Sequence, residues 1–354
     1  MRCPRFPDEL EDEGTLRIAV IGAGAIGGIT AALMAKNGLD VQLVCKHEEI
    51  ARMANGEGLK ISGHCGEQRV KVKACARVEE LEGPIDLCLI ATKAYDMPDA
   101  AKRALPLLKD ESLVVSMQNG ICLDRMAEVV GQDRTVGCVI GWGATMHGPA
   151  DLEMTSGGEF IIGMQNGEKE RLEPLRKALS AVTETVIADD IIAELWSKLI
   201  INSCITSLGA LCGLTLGEMM ARRDARCIFL SIVQEAVNVA KKKKIDIPPY
   251  AGKIDYFKLM SGNSALSRLR RHTLIRVVGL KYSKLKSSSL QSLERGKPTE
   301  IDGFNGYIAR QGKEVGVACP ICERLVVMIH EIEKGKRKIT TENLKDQAFI
   351  GLNP

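Results

Sequence analysis

Three glycines are spaced as GxGxxG in Gly22-Ala23-Gly24-Ala25-Ile26-Gly27. In this pattern the first glycine makes a tight turn, the second lets the backbone approach a pyrophosphate, and the third lets a helix pack closely on a strand. The N–H groups of Ala25 and Ile26 would open that helix and face the phosphates. Lys46 stands about twenty residues on, where NAD enzymes carry an acid for the ribose hydroxyls and NADP enzymes a cation for the 2′-phosphate. With His47 beside it, Lys46 predicts NADPH; as a lone residue it also fits a solvated loop lysine. Lys198 and Asn202 are four apart, with Thr206 four further, so they share one helix face among Leu199, Ile200 and Ile201. A partly desolvated lysine there has its pKa lowered and can act as an acid, whereas a snorkelling lysine would leave the same trace. Further polar groups are Thr92-Lys93-Ala94-Tyr95-Asp96, Gln118-Asn119-Gly120, Ser287-Ser288-Ser289-Leu290-Gln291 and Thr299-Glu300-Ile301-Asp302. Thr299 and Glu300 also suit a helix cap and first turn.

The elements that must hold these residues follow from hydrophobic spacing. Leu16 to Ile21 is an apolar run that suits a buried parallel strand, Ile29 to Lys36 reads as a helix ended by Asn37-Gly38, and Val41 to Cys45 as a second strand. The glycine turn therefore sits in a βαβ unit, the context its chemistry requires. Ile85 to Ala91, Leu113 to Met117, Thr135 to Trp142 and Glu159 to Met164 read as further strands, and Lys169 to Val182 as an amphipathic helix. From Asp190 helical spacing dominates, in Ile191 to Leu211, Ala225 to Lys243 and Thr299 to His330. The expected fold is α/β, an N-terminal Rossmann-type doubly wound sheet followed by an all-helical C-terminal domain. Its parts are a disordered lead-in over 1–14, a cofactor domain over 15–188, a helical substrate domain over 189–335 and a loose polar tail over 336–354.

Composition limits the alternatives. With 48 Lys and Arg against 45 Asp and Glu, the net charge of +3 gives no sign of nucleic acid. No apolar run approaches the roughly 20 residues of a membrane span, and the acidic start (Asp8, Glu9, Glu11, Asp12, Glu13) is unlike a signal peptide, so a cytoplasmic protein is expected. The 12 cysteines lie mostly in apolar runs and read as small buried hydrophobes. Cys319 and Cys322 form a CxxC without a second pair or nearby histidines, so no metal site is expected. Lys241 to Lys244 suits a helix C-terminus. The basic stretch from Arg268 to Lys286 suits either a positive field over an anionic site or a solvated helix face.

Taken together and in order, these groups resemble the ketopantoate reductase family over about residues 16 to 335. The resemblance implies an NADPH-dependent enzyme reducing a 2-oxo acid in a cleft between a Rossmann domain and a helical domain. It implies Lys198 as the general acid, with Glu300 supporting it and the substrate. It implies Asn202 at the substrate's hydroxyl end, Ser288 at its carboxylate, Asn119 near both cofactor and substrate, and Lys93 on the cofactor. Two positions depart from the family pattern. Thr206 stands where a second asparagine is common, and Ser289-Leu290-Gln291-Ser292 replaces Met-x-Gln-Asp. Thr206 belongs to the implied hydroxyl pocket and keeps open a reductase of a different 2-oxo or 3-oxo acid. A non-catalytic NADPH sensor would keep the glycine turn and Lys46 without needing Lys198 and Glu300. An NAD-dependent β-hydroxyacid dehydrogenase would carry an acid in place of Lys46. A homodimer through the helical half is compatible with the sequence.

Overall fold

A computed structural model describes residues 16–354, so the expected lead-in lies outside the described residues. The strands are β1 (Arg17–Ile21), β2 (Asp40–Val44), β3 (Leu59–Gly63), β4 (Gln68–Val70), β5 (Lys73–Cys75), β6 (Ile85–Ile90), β7 (Leu108–Ser116), β8 (Thr135–Ile140), β9 (Gly143–Gly148), β10 (Asp151–Ser156), β11 (Phe160–Gly163) and β12 (Thr185–Ile187). Between them lie α1 (Ala25–Lys36), α2 (Glu48–Asn55), α3 (Met97–Ala104), α4 (Leu123–Val130) and α5 (Glu173–Ser180). The helical half follows as α6 (Ile191–Cys212), α7 (Leu216–Ala221), α8 (Arg223–Lys243), α9 (Tyr256–Leu259), α10 (Ala265–Lys281), α11 (Ser288–Glu294), α12 (Asn305–Val315) and α13 (Pro320–Glu333).

The main sheet runs β12-β11-β8-β7-β6-β1-β2-β5. From β5 to β8 every pairing is parallel, and β11 joins β8 antiparallel. Strand order reverses at β1, which pairs β2 on one side and β6 on the other through Ile21↔Val44 and Ile21↔Ile90. This is the doubly wound plan, and it opens its ligand crevice at the carboxyl ends of those strands. Ile18, Ala19, Val20, Cys88, Leu89 and Ile90 are fully buried because helices cover both faces.

Asp190 caps α6 by accepting from the Ala193 N–H at 3.1 Å, and Gly213 ends it with φ +75°. A Cβ on Gly137 or Gly163 would lie 2.7 Å from the Ile191 side chain, so both glycines let α6 lie hard against β8 and β11. The helical core is therefore continuous with the sheet at Ile121, Leu123 and Val139.

Several expectations need correction. The first helix starts at Ala25, four residues before Ile29, because Gly27 and Gly28 are taken into it. Lys169 to Val182 is a 3-10 turn (Lys169–Leu172) followed by α5, which begins at Glu173 with Pro174 in its first turn. Thr299 to His330 is mainly helical as expected, but divided into a 3-10 turn, α12 and α13, because Gly316 takes φ +70° and Pro320 begins the next helix. A four-stranded second sheet, β4-β3-β10-β9, was not expected; its strands are short and mostly polar. Residues 336–354 are not a loose tail. Leu344 and Phe349 are buried, Asn343 Nδ2 donates to the Leu211 carbonyl at 2.9 Å, and Arg324 holds Asp346 at 2.7 Å. Its polar residues are the anchors of a packed strap. Finally, α6 is by length and composition apolar enough to cross a membrane, but 83% of that window is buried in the core.

Candidate active site

Three of the singled-out groups sit at the carboxyl edge of the main sheet, beside the end of β8. The glycine turn follows β1, Thr92-Lys93 follows β6, Gln118-Asn119-Gly120 follows β7, and the Ile140 carbonyl ends β8. Gly22 takes φ +118°, and a Cβ there would meet Ala91 and Thr92 backbone atoms at 2.9–3.0 Å. A Cβ on Gly27 would lie 2.0 Å from the Gly22 carbonyl oxygen, so this glycine closes α1 onto its own turn. Gly24 differs: among the described residues, nothing lies within 4 Å of its would-be Cβ. The described residues do not fill the space beside Gly24, and the N-terminus of α1, without an acid in its first turn, presents the N–H groups of Ala25 and Ile26. Close by, the Thr92 hydroxyl is buried with no partner among the described residues. An open glycine cradle, a bare helix N-terminus and an orphaned hydroxyl fit a dinucleotide.

Lys46 follows β2 with φ +60°, a left-handed conformation that costs a non-glycine residue about 1–2 kcal/mol. Its side chain is exposed and lies 3.9 Å from Asp96. It stands at the same sheet edge as the glycine turn, within β2's register to β1.

Gln118 is buried and makes a fixed joint. Its amide donates to the carbonyls of Ile90 (2.7 Å) and Thr92 (3.1 Å) and accepts from Ser116 (2.7 Å). This leaves Asn119 half-buried at the edge. Gly120, at φ +86°, backs directly on Gly303, whose carbonyl oxygen would lie 2.7 Å from a Cβ. The β7 loop thereby touches the turn that carries Glu300.

The helical half brings its own groups to this edge. Lys198 donates from Nζ to the Ile140 carbonyl at 2.8 Å. Burial pulls its ammonium down to about 8, opposed by the charges of Cys138 and Glu300. Burial also pushes the Cys138 thiol up to about 12, so it is neutral at pH 8 and the opposing charge there is that of Glu300. Glu300 is nearly buried and its carboxylate accepts from Lys93 Nζ at 2.6 Å, an ion pair that joins the two halves. The Asn202 amide, half-buried one turn past Lys198, has no protein partner among the described residues.

Two expected residues are placed less directly. Thr206 donates its hydroxyl to the Asn202 carbonyl at 2.7 Å, so only its acceptor capacity is free. Ser288 is exposed in the first turn of α11. Its neighbour Ser287 caps that helix through the Leu290 N–H and lies against Gly209, where a Cβ would be 2.3 Å from its hydroxyl. This packing docks α11 on α6 just past Thr206.

Sequence reasoning missed what holds Glu300. Thr299 donates from N and Oγ1 to Glu333 Oε1, both at 2.7 Å, and Glu333 Oε2 is 2.8 Å from His330 Nδ1. His330 Nε2 reaches Asp302 at 3.1 Å. Burial lowers the His330 pKa, but the two carboxylates outweigh it and the net shift is upward. The pair pins the Thr299–Gly303 turn to α13. The i, i+3 spacing of His330 and Glu333 was its only trace in the sequence, and it reads equally as a surface pair. Among the described residues, no cluster of three or more His, Cys, Asp or Glu could hold a metal, and Cys319 and Cys322 are buried free thiols.

Comparisons with known proteins agree with this fold. The family described as "Ketopantoate reductase PanE/ApbA" matches residues 18–167, and "Ketopantoate reductase PanE/ApbA C terminal" matches residues 190–333. The 2-dehydropantoate 2-reductase of Pyrococcus abyssi is 32% identical over 86% of this chain and 94% of its own. That of Mesorhizobium japonicum is 27% identical over 90% and 99%. Among solved structures, a PanE/ApbA family ketopantoate reductase from Ralstonia eutropha aligns with a TM-score of 0.77 at 25% identity, covering 91% of this chain and all of the other. D-mandelate dehydrogenase in its ternary structure with NADH and anilino(oxo)acetate has a TM-score of 0.76 at 23% identity, covering 91% and 99%, which is a likeness of fold.

Proposed function

The chain belongs to the ketopantoate reductase family of oxidoreductases, and from this premise we propose that it reduces 2-dehydropantoate to pantoate with NADPH, a step of pantothenate biosynthesis. One observation carries the reading: Lys198 is a desolvated ammonium at the end of β8, on the sheet edge that bears the glycine cradle.

In this reading residues 15–188 hold the cofactor and 189–335 the substrate. NADPH, when bound, supplies the hydride. Gly22, Gly24 and Gly27 shape the pyrophosphate cradle, Ala25 and Ile26 give it N–H donors, and Lys46 meets the 2′-phosphate. Lys198 protonates the carbonyl oxygen as the hydride arrives. With a pKa of about 8 its ammonium gives up a proton far more readily than an ordinary lysine, yet remains protonated at neutral pH. Glu300 keeps it charged and, through Lys93, holds the two halves together across the cleft. Asn202, whose amide has no partner among the described residues, takes the substrate's hydroxyl end, with Thr206 as an acceptor behind it. Ser288 takes the carboxylate, and Asn119 lies between cofactor and substrate.

The test is consumption of NADPH with ketopantoate beside a panel of other 2-oxo and 3-oxo acids, repeated with NADH and with Lys46→Asp. Turnover of ketopantoate with NADPH, and a selective loss of NADPH use in Lys46→Asp, is the expected result. Turnover of another acid alone moves the substrate, and equal effects of Lys46→Asp on both cofactors remove Lys46 from 2′-phosphate recognition. NADPH binding without turnover of any acid makes the chain a sensor.

A further inference from the structure

The helix α10 turns an apolar stripe to solvent. Leu266, Leu269, Val277 and Leu280 are 75%, 63%, 56% and 68% exposed, with exposed Thr273 among them. At about 100° per residue these five fall within roughly 80° of arc. The opposite face is held firmly. Arg271 is buried and donates to the Leu259, Met260 and Ser261 carbonyls, and Gly279 lies against Met220, where a Cβ would be 2.3 Å from the Met220 Cβ. The stripe is thus a fixed surface on a packed helix.

Its spacing has a symmetry of its own. The intervals between Leu266, Leu269, Thr273, Val277 and Leu280 read three, four, four, three, a palindrome about Thr273. A twofold interface needs a patch complementary to itself. We propose that two copies of this chain associate through α10, antiparallel about a twofold axis at Thr273, with Leu266 packed on the partner's Leu280 and Leu269 on the partner's Val277.

The area suits this occupant. The four aliphatic side chains expose on the order of 450 Å² per copy, comparable to the largest apolar patches of monomers. With Leu274 and the stems of Arg270, Arg276 and Lys281 added, the face approaches the roughly 800 Å² per partner of a standard interface.

Charge does not favour an anionic surface instead. Of the seven Lys and Arg between 268 and 286, five are engaged on their own chain. Arg268 donates to the Asn263 carbonyl and Arg270 to the Lys258 carbonyl, while Arg271 is buried. Lys281 stands over the Tyr282 ring, and Lys286 pairs with Glu294. Arg270 and its copy would lie six residues apart along the pair, about 9 Å at 1.5 Å per residue. That is near the screening length of physiological salt, so their repulsion is mild and added salt relieves it.

Sedimentation velocity of the full chain over a range of concentration tests the proposal. The wild type should reach twice the chain mass of 38.5 kDa and associate more tightly as salt rises. The double substitution Leu269→Asp with Val277→Asp should weaken association by roughly 100-fold or more. Both positions are exposed, so an unchanged circular dichroism spectrum is expected and shows that folding is intact. Thr273→Cys, alone on the axis, should give a covalent dimer on mild oxidation that the wild type does not give. A wild type that stays monomeric, or a dimer untouched by the double substitution, overturns the proposal. So does a monomer that co-sediments through α10 with phosphatidylserine vesicles and is released by salt.

Discussion

Replacing Lys198 by Met separates the chemistry of this residue from the cost of burying it. The side chain stays unbranched, one heavy atom shorter, and loses its charge. The fall of the lysine pKa from 10.5 to about 8 corresponds to about 3 kcal/mol of destabilisation at 1.36 kcal/mol per pH unit. The substitution removes that cost but leaves the Ile140 carbonyl without its donor, a penalty of about 1–3 kcal/mol. The variant should therefore be as stable as the wild type or more so, by about 1 kcal/mol, while turning over about 10²–10⁴-fold more slowly. The sign of the pH dependence follows from linkage. Below pH 8 the lysine is charged in both states and the full cost is present. Between pH 8 and 10.5 the folded state releases its proton first, so the wild type gains stability as pH rises and Lys198→Met does not. Denaturant unfolding across that window, beside initial rates, measures both. A variant several kcal/mol less stable, or one with the same pH-dependent gain, would mean that Lys198 is not a desolvated ammonium. A folded variant with an undiminished rate would remove it from the chemistry.

Three further outcomes follow from the site. Because proton donation needs the ammonium, kcat should fall about tenfold per pH unit above pH 8, and Glu300→Gln, which removes the charge that raises Lys198, should move that limb to lower pH in a kcat–pH profile; an unmoved limb would show that Glu300 does not act on Lys198. Gly24→Ala adds a Cβ that meets nothing among the described residues and should leave the melting temperature of the cofactor-free chain unchanged, yet weaken NADPH binding by roughly 10²-fold in a fluorescence titration; tight binding would place the pyrophosphate elsewhere. Glu333→Gln removes the charged acceptor of Thr299 and should lower kcat by about tenfold with little change in NADPH affinity, and an unchanged kcat would make the His330–Glu333 pair a structural brace alone.

The Rossmann half was legible because its signals are local. An apolar strand, a glycine turn and a helix lie in sequence from Leu16 to Lys36, and the doubly wound order follows from alternating strands and helices. The helix carrying Lys198 and Asn202 was legible from four-residue spacing, but whether Lys198 was desolvated depended on β8, 58 residues away in the chain. The second sheet was hidden because β3, β4 and β9 are short and rich in polar residues. The strap over 336–354 was misread because its polar residues make long-range contacts, such as Asn343 with Leu211, that composition does not reveal. The use of Thr206's hydroxyl within its own helix was likewise invisible, since threonine bonds the backbone or a ligand with equal ease.

The most direct test of the account is a single turnover. The chain is loaded with NADPH and mixed with ketopantoate, and the nicotinamide absorbance is followed for the wild type beside Lys198→Met. Rapid loss of absorbance in the wild type, and a loss slowed by about 10²–10⁴-fold in a variant that still binds NADPH, is the predicted result. Stable absorbance in the wild type, or equal rates in the two proteins, would contradict it.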